Sequence, residues 1–131
     1  MTSHKLLQFA LAMFGAIFLL VYPLAIVWPS GWAWHAGAPY ESQYFVMIVG
    51  VYATLGLFLI NAARDPLANR SLIWFTIVSS VVHAAIMGVQ SFGGDGHMHM
   101  GHLLGDVPAL LLVAIVLSIL LSASRRVGET T

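Results

Sequence analysis

Apolar residues run along this chain in four long blocks, at about 6–28, 44–63, 71–90 and 103–122, separated by shorter polar, glycine- and proline-bearing stretches. Each block is close to the roughly 20 residues that a helix needs to cross about 30 Å of hydrocarbon. The first three contain no Asp, Glu, Lys or Arg, and the fourth contains only Asp106 near its start. The pattern predicts an all-α protein: a single domain over residues 1–131, folded as an integral membrane four-helix bundle. Pro23 lies inside the first block and should kink that helix, because proline removes a backbone donor. That block is longer than the roughly 7–15 apolar residues of a signal peptide and lacks a small-x-small site close behind it, so a retained helix is expected. Asp65-Pro66 and Asn69 predict a tight turn between the second and third spans. The start of the fourth span stays open between Gly101 and Asp106.

Composition strengthens the membrane reading. Of 131 residues, 60% are hydrophobic and 8% charged, with a mean hydropathy of +0.90; a soluble domain has roughly 25% charged residues. The lipid bilayer is therefore the first expected partner. There is no cysteine, which excludes disulfides, thiolate metal sites and iron–sulfur clusters. The formal net charge is zero, and no basic patch points to nucleic acid. Lys5, Arg64, Arg70, Arg125 and Arg126 are the five basic residues, and four spans place all of them on one side. The positive-inside rule makes that side, with both termini, cytoplasmic. Trp28, Trp32, Trp34 and Tyr40 then form an aromatic belt at the opposite, outer interface.

Candidate chemistry gathers on the outer side. The loop between the third and fourth blocks reads Gly96-His97-Met98-His99-Met100-Gly101-His102. Imidazole with thioether suits copper, and imidazole alone also suits zinc. On the third block Thr76, His83, Met87 and Gln90 share one helical face by their spacing. If the fourth helix begins early enough, His99, His102 and Asp106 share a face as well. Polar stripes within spans face the bundle interior, so the two can meet. Three readings follow: a transition-metal site of His83, His99, His102 and Asp106, joined by His97; a proton or ion relay; or a structural role, with Asp106 as the N-cap of the fourth helix and Pro108 in its first turn. Tyr22 and Glu41, near the outer ends of the first two spans, could complete the site or simply anchor the interface. Glu41 also suits the helix dipole at the start of span two. Ser80, Ala84 and Gly88 form a small-xxx-small row of the kind that lets helices approach closely. Haem b would require two axial histidines on facing helices, and His83 with His102 is the one reasonable pair.

Val21-Tyr22-Pro23-Leu24, Trp28-Pro29-Ser30-Gly31-Trp32, Ala63-Arg64-Asp65-Pro66, Val82-His83-Ala84, Met87-Gly88-Val89-Gln90 and His102-Leu103-Leu104-Gly105-Asp106-Val107-Pro108 together resemble the BphX-like group. These are small four-span bacterial membrane proteins of unknown function, and the likeness covers nearly the whole chain. The resemblance implies the bacterial inner membrane and an accessory role in oxidative or hydrocarbon catabolism, and it supplies no reaction. Alternatives kept open by the residues are a subunit of a larger membrane complex or a homo-oligomer, and a small transporter or relay. No nucleophile–base pair, phosphate loop or paired carboxylates support an enzyme.

Overall fold

Proline placement decides where two of the helices stop. The computed structural model describes residues 2–29, 38–92 and 100–128, apart from the side chains of residues 100 and 125–128. Helix α1 covers Ser3–Leu19 and α2 covers Val21–Val27. Leu19 lies four residues before Pro23, whose ring lacks the N–H that would bond the Leu19 carbonyl and crowds that carbonyl. The chain answers with a tightened turn, Leu20 N–H to Ile17 O at 2.9 Å, and then resumes with Leu24 N–H to Leu20 O at 3.0 Å. The axes of α1 and α2 differ by 57°, so the expected kink is a break.

A 3-10 turn, Pro39–Glu41, leads into α3, Gln43–Ala62. Ser42 rather than Glu41 caps α3, accepting the Phe45 N–H at 3.2 Å. The turn after α3 closes on Asp65, which accepts the Ala68 N–H on its side chain at 3.1 Å and the Asn69 side-chain amide on its carbonyl at 2.8 Å. Helix α4 then covers Arg70–Gln90, α5 Met100–Leu104 and α6 Asp106–Gly128. Helix α5 ends four residues before Pro108, as α1 does before Pro23. Here Gly105 N–H to Gly101 O and Ala109 N–H to Gly105 O carry the ladder across the join, and Gly101–Ser124 continues as one span.

Among the described residues, α3, α4 and Gly101–Ser124 are long and apolar enough to cross a membrane, and α1 with α2 adds a fourth span if the bent pair counts as one. Phe9, Val51, Phe58, Phe75, Val89, Leu112 and Ile119 are among the large apolar side chains left on the surface. Such a surface suits lipid contact far better than water. Of the aromatic belt, Trp28 and Tyr40 are exposed, while Trp32 and Trp34 lie outside the described residues, as do the side chains of Arg125 and Arg126.

The helices pack in the spatial order α3, α1, α6, α4, and α3 and α4 barely touch each other. Leu7, Leu11, Leu59, Ile73, Leu117 and Leu121 fill the core that joins them. The tightest approach is between α1 and α3. A Cβ added to Gly15 would lie 2.6 Å from the Gly56 carbonyl oxygen, and one added to Gly56 would lie 2.5 Å from that of Gly15. Neither oxygen belongs to a flexible side chain, so only movement of a whole helix could make room. In the small-residue row on α4, Ser80 and Ala84 are buried, whereas Gly88 faces open space.

Gly56→Ala should therefore lower stability by about 1–3 kcal/mol, the usual cost of overpacking, read as a drop in the thermal midpoint of the purified protein. Gly50→Ala, which meets nothing within 4 Å, should be neutral or slightly stabilising. Equal effects at the two glycines would show that the α1–α3 contact is looser than described.

Candidate functional site

Two polar pairs lie between helices that are otherwise apolar. Across the α3–α4 seam, the Tyr52 hydroxyl is 2.6 Å from His83 Nδ1. On α5 and α6, His102 Nδ1 is 2.8 Å from Asp106 Oδ2, both residues being buried. The second pair spans i to i+4, so it exists because the helix already runs through Gly101. The described backbone therefore places Gly101 already within the last span. Asp106 does not act as a helix cap: its Oδ2 faces His102, and its buried Oδ1 has no hydrogen-bond partner among the described residues.

The hydrogen positions follow from satisfaction of the groups. Tyr52 has one O–H, and His83 Nδ1 is the acceptor within reach. A Tyr52 hydroxyl donating to Nδ1 leaves the proton of the neutral imidazole on Nε2. For the second pair, His102 Nδ1–H donates to Asp106 Oδ2, the carboxylate oxygen within reach. The Tyr52 ring is further held between Phe18, at 5.1 Å between ring centroids, and His83, at 5.7 Å.

These pairs border a cavity of about 130 Å³. Its walls come from α1 and α2 (Phe14, Phe18, Val21), α3 (Phe45, Ile48, Tyr52), α4 (His83, Met87) and α6 (Asp106, Ala109, Leu110, Val113). Tyr52, His83 and Asp106 are the polar residues of that lining. A second, more open groove runs along the α3–α4 seam between Ile48, Ser79, Val82, His83, Met87 and Gln90. Ile48, His83 and Met87 border both spaces, so these three side chains separate the cavity from the groove.

The residues expected to carry chemistry are thus divided. His83, Met87 and Asp106 share the cavity wall, with His102 behind Asp106. Gln90 is exposed and lines the groove. Thr76 is fully buried and bonds the Leu72 carbonyl at 2.9 Å, within the core and away from both spaces. Tyr22 packs with Ala25 and Phe45, and Glu41 is exposed in the 3-10 turn. His97 and His99 lie outside the described residues, and among the described ones no group of three or more His, Asp or Glu could hold a metal ion. Tyr52 and the phenylalanines of α1 are the site residues that the sequence pattern missed. The available signal was a lone tyrosine midway along the second apolar block, whose hydroxyl needs a partner when buried.

Fold and site together define an all-helical protein of membrane-spanning dimensions, with a polar-ended apolar cavity between its helices. The chain belongs to a family of unknown function, DUF6632, which it matches over residues 1–129. No curated protein and no solved structure matches it.

Loss of the two polar pairs should differ in cost. Tyr52→Phe removes one partly buried hydrogen bond and should cost about 1 kcal/mol. His102→Leu strips the donor from a buried carboxylate and should cost about 3 kcal/mol, with much of it recovered in the His102→Leu, Asp106→Leu double variant. Thermal or denaturant unfolding of the four proteins checks the order; a reversed order would show that the His102–Asp106 pair is not desolvated.

Proposed function

We propose that this chain is a four-span protein of the bacterial cytoplasmic membrane, with both termini cytoplasmic, that binds a small apolar molecule taken from the bilayer. The observation that carries the reading is the partly enclosed cavity whose wall is shared, at Ile48, His83 and Met87, with a groove on the outer surface of the helices. Small-molecule sites are concave and mostly apolar, with a few convergent polar groups. This cavity has that character: aromatic and aliphatic walls, and Tyr52, His83 and Asp106 as its polar residues. The groove lies along the seam where α3 and α4 make least contact, so a molecule dissolved in hydrocarbon reaches the cavity sideways without crossing an aqueous phase. The single-sided placement of Lys5, Arg64 and Arg70 supports the orientation.

The reading predicts saturable binding of 4-fluorotoluene by the full chain in nanodiscs, followed by 19F NMR against empty nanodiscs. Ala109→Phe, which puts a ring into the cavity, should abolish the saturable part. Binding unchanged in that variant would place the ligand elsewhere. For the orientation, the natural absence of cysteine permits single-cysteine labelling. Asp65→Cys should react with a membrane-impermeant maleimide only from the cytoplasmic side, and Glu41→Cys only from the other; labelling of both from one side would overturn the topology.

A further inference from the structure

Two levels of side chains close the α3–α4 seam beside the cavity. The two helices are joined by the short turn at Asp65 and run antiparallel. Ile48 lies four residues before Tyr52 on α3, and Met87 four residues after His83 on α4, so each pair is stacked one turn apart on its own helix. The Tyr52–His83 hydrogen bond sets one level. Antiparallel helices then bring Ile48 and Met87 to the next, about 6 Å along the axis. Ile48, His83 and Met87 border both the cavity and the groove, and Tyr52 borders the cavity.

The two levels differ in what holds them. The Tyr52 ring is fixed from several sides, by Phe18 at 5.1 Å and by the buried residues of the main core and of the Ala84, Met87 and Leu110 cluster. Across the seam its hydroxyl meets His83 at 2.6 Å, where α3 and α4 otherwise barely touch. Hydrocarbon holds no water to take over a broken hydrogen bond, so parting this pair leaves both groups unsatisfied. The Ile48–Met87 level is apolar, and methionine rotates readily. One level yields easily; the other is held by a single directional contact. We infer that the Tyr52–His83 hydrogen bond is the latch of a lateral gate. It is closed in the empty and in the filled protein, and it releases when a molecule passes between groove and cavity beside Met87. The latch sets how fast the site exchanges with the bilayer, as distinct from how tightly it binds.

This inference rests on the cavity being a binding site, and the test separates the two. The full chain in nanodiscs is loaded with 4-fluorotoluene, and 19F saturation transfer between bound and lipid-dissolved pools gives its association and dissociation rates. Tyr52→Phe keeps the ring and removes the hydroxyl. Both rates should rise by about three- to tenfold, the factor that one such bond contributes. His83→Leu, which also thins the wall, should raise both rates, and adding Tyr52→Phe to it should raise them no further, because the bond is already gone. Val82→Trp sets a large ring in the groove, which Val82 borders, and should slow both rates. Unchanged rates in Tyr52→Phe would overturn the latch. So would a rise in dissociation alone, which makes Tyr52 a ligand contact, or additive effects of Tyr52→Phe and His83→Leu, which report general loosening. Rates untouched by Val82→Trp would overturn the lateral path. Each of these outcomes leaves the apolar site standing, whereas absence of saturable 4-fluorotoluene binding would overturn the site itself.

Discussion

The contact on which the arrangement depends is the backbone-to-backbone approach of α1 and α3 at Gly15 and Gly56. Nothing larger than hydrogen fits there, so the two helices are drawn together at one level. Above that level α1 ends, because Pro23 denies the Leu19 carbonyl its partner, and α2 leaves at 57°. The cavity lies where these two effects diverge. Its walls include Phe14 and Phe18 below the break and Val21 beyond it, with Tyr52 and Phe45 opposite on α3. A tight crossing followed at once by a broken helix leaves a volume that the side chains do not fill. The cavity is thus a consequence of backbone constraints, not of small side chains alone.

Polar groups placed in such a structure have few partners, and most find theirs locally. Thr76, Ser79, Ser91 and Ser118 bond carbonyls three or four residues back in their own helices. Two pairs do more. His102 and Asp106 bridge the join forced by Pro108, and Tyr52 with His83 spans the seam between α3 and α4. Asp106 Oδ1 departs from this rule, being buried and unpaired among the described residues. An unsatisfied carboxylate oxygen in low dielectric is costly, and the His102 N–H on its other oxygen is the contact that offsets that cost.

Helix positions were largely legible in the sequence because lipid-length apolar blocks and turn residues are local signals. The kink at Pro23, the turn at Asp65 and the shared face of His102 and Asp106 all follow from spacing along one chain segment. The start of the last span was not legible: Asp106-Val107-Pro108 reads equally as a helix beginning and as a proline tolerated within a continuing helix. Only the backbone bonds across Gly105 decide it. The Gly15–Gly56 contact was missed for a different reason. A glycine inside an apolar helix costs about 1 kcal/mol relative to alanine, which signals a close approach without naming its partner. Thr76 shows the limit of face counting: it shares a stripe with His83 yet lies a level lower, inside the core. The partner of His83 was equally hidden, since pairing with Tyr52 depends on which helices neighbour one another.

The order α3, α1, α6, α4 also decides how the proposed site can open. Every neighbouring pair in that series is joined by packed apolar side chains, and separating α1 from α3 would break the tightest contact in the structure. The α3–α4 seam has little packing to lose. What joins it beside the cavity is the Tyr52–His83 hydrogen bond, whose release costs about 1 kcal/mol, together with the side chains of Ile48 and Met87. Methionine is unbranched and rotates readily, so Met87 can swing from the shared wall without disturbing the helix. The least costly movement therefore exposes the cavity to the groove, toward hydrocarbon, and not along the helix axes toward water. His83 stands at that boundary, bonded across the seam to Tyr52 and lining both spaces. An occupant of the proposed site therefore packs against the same ring that closes the seam.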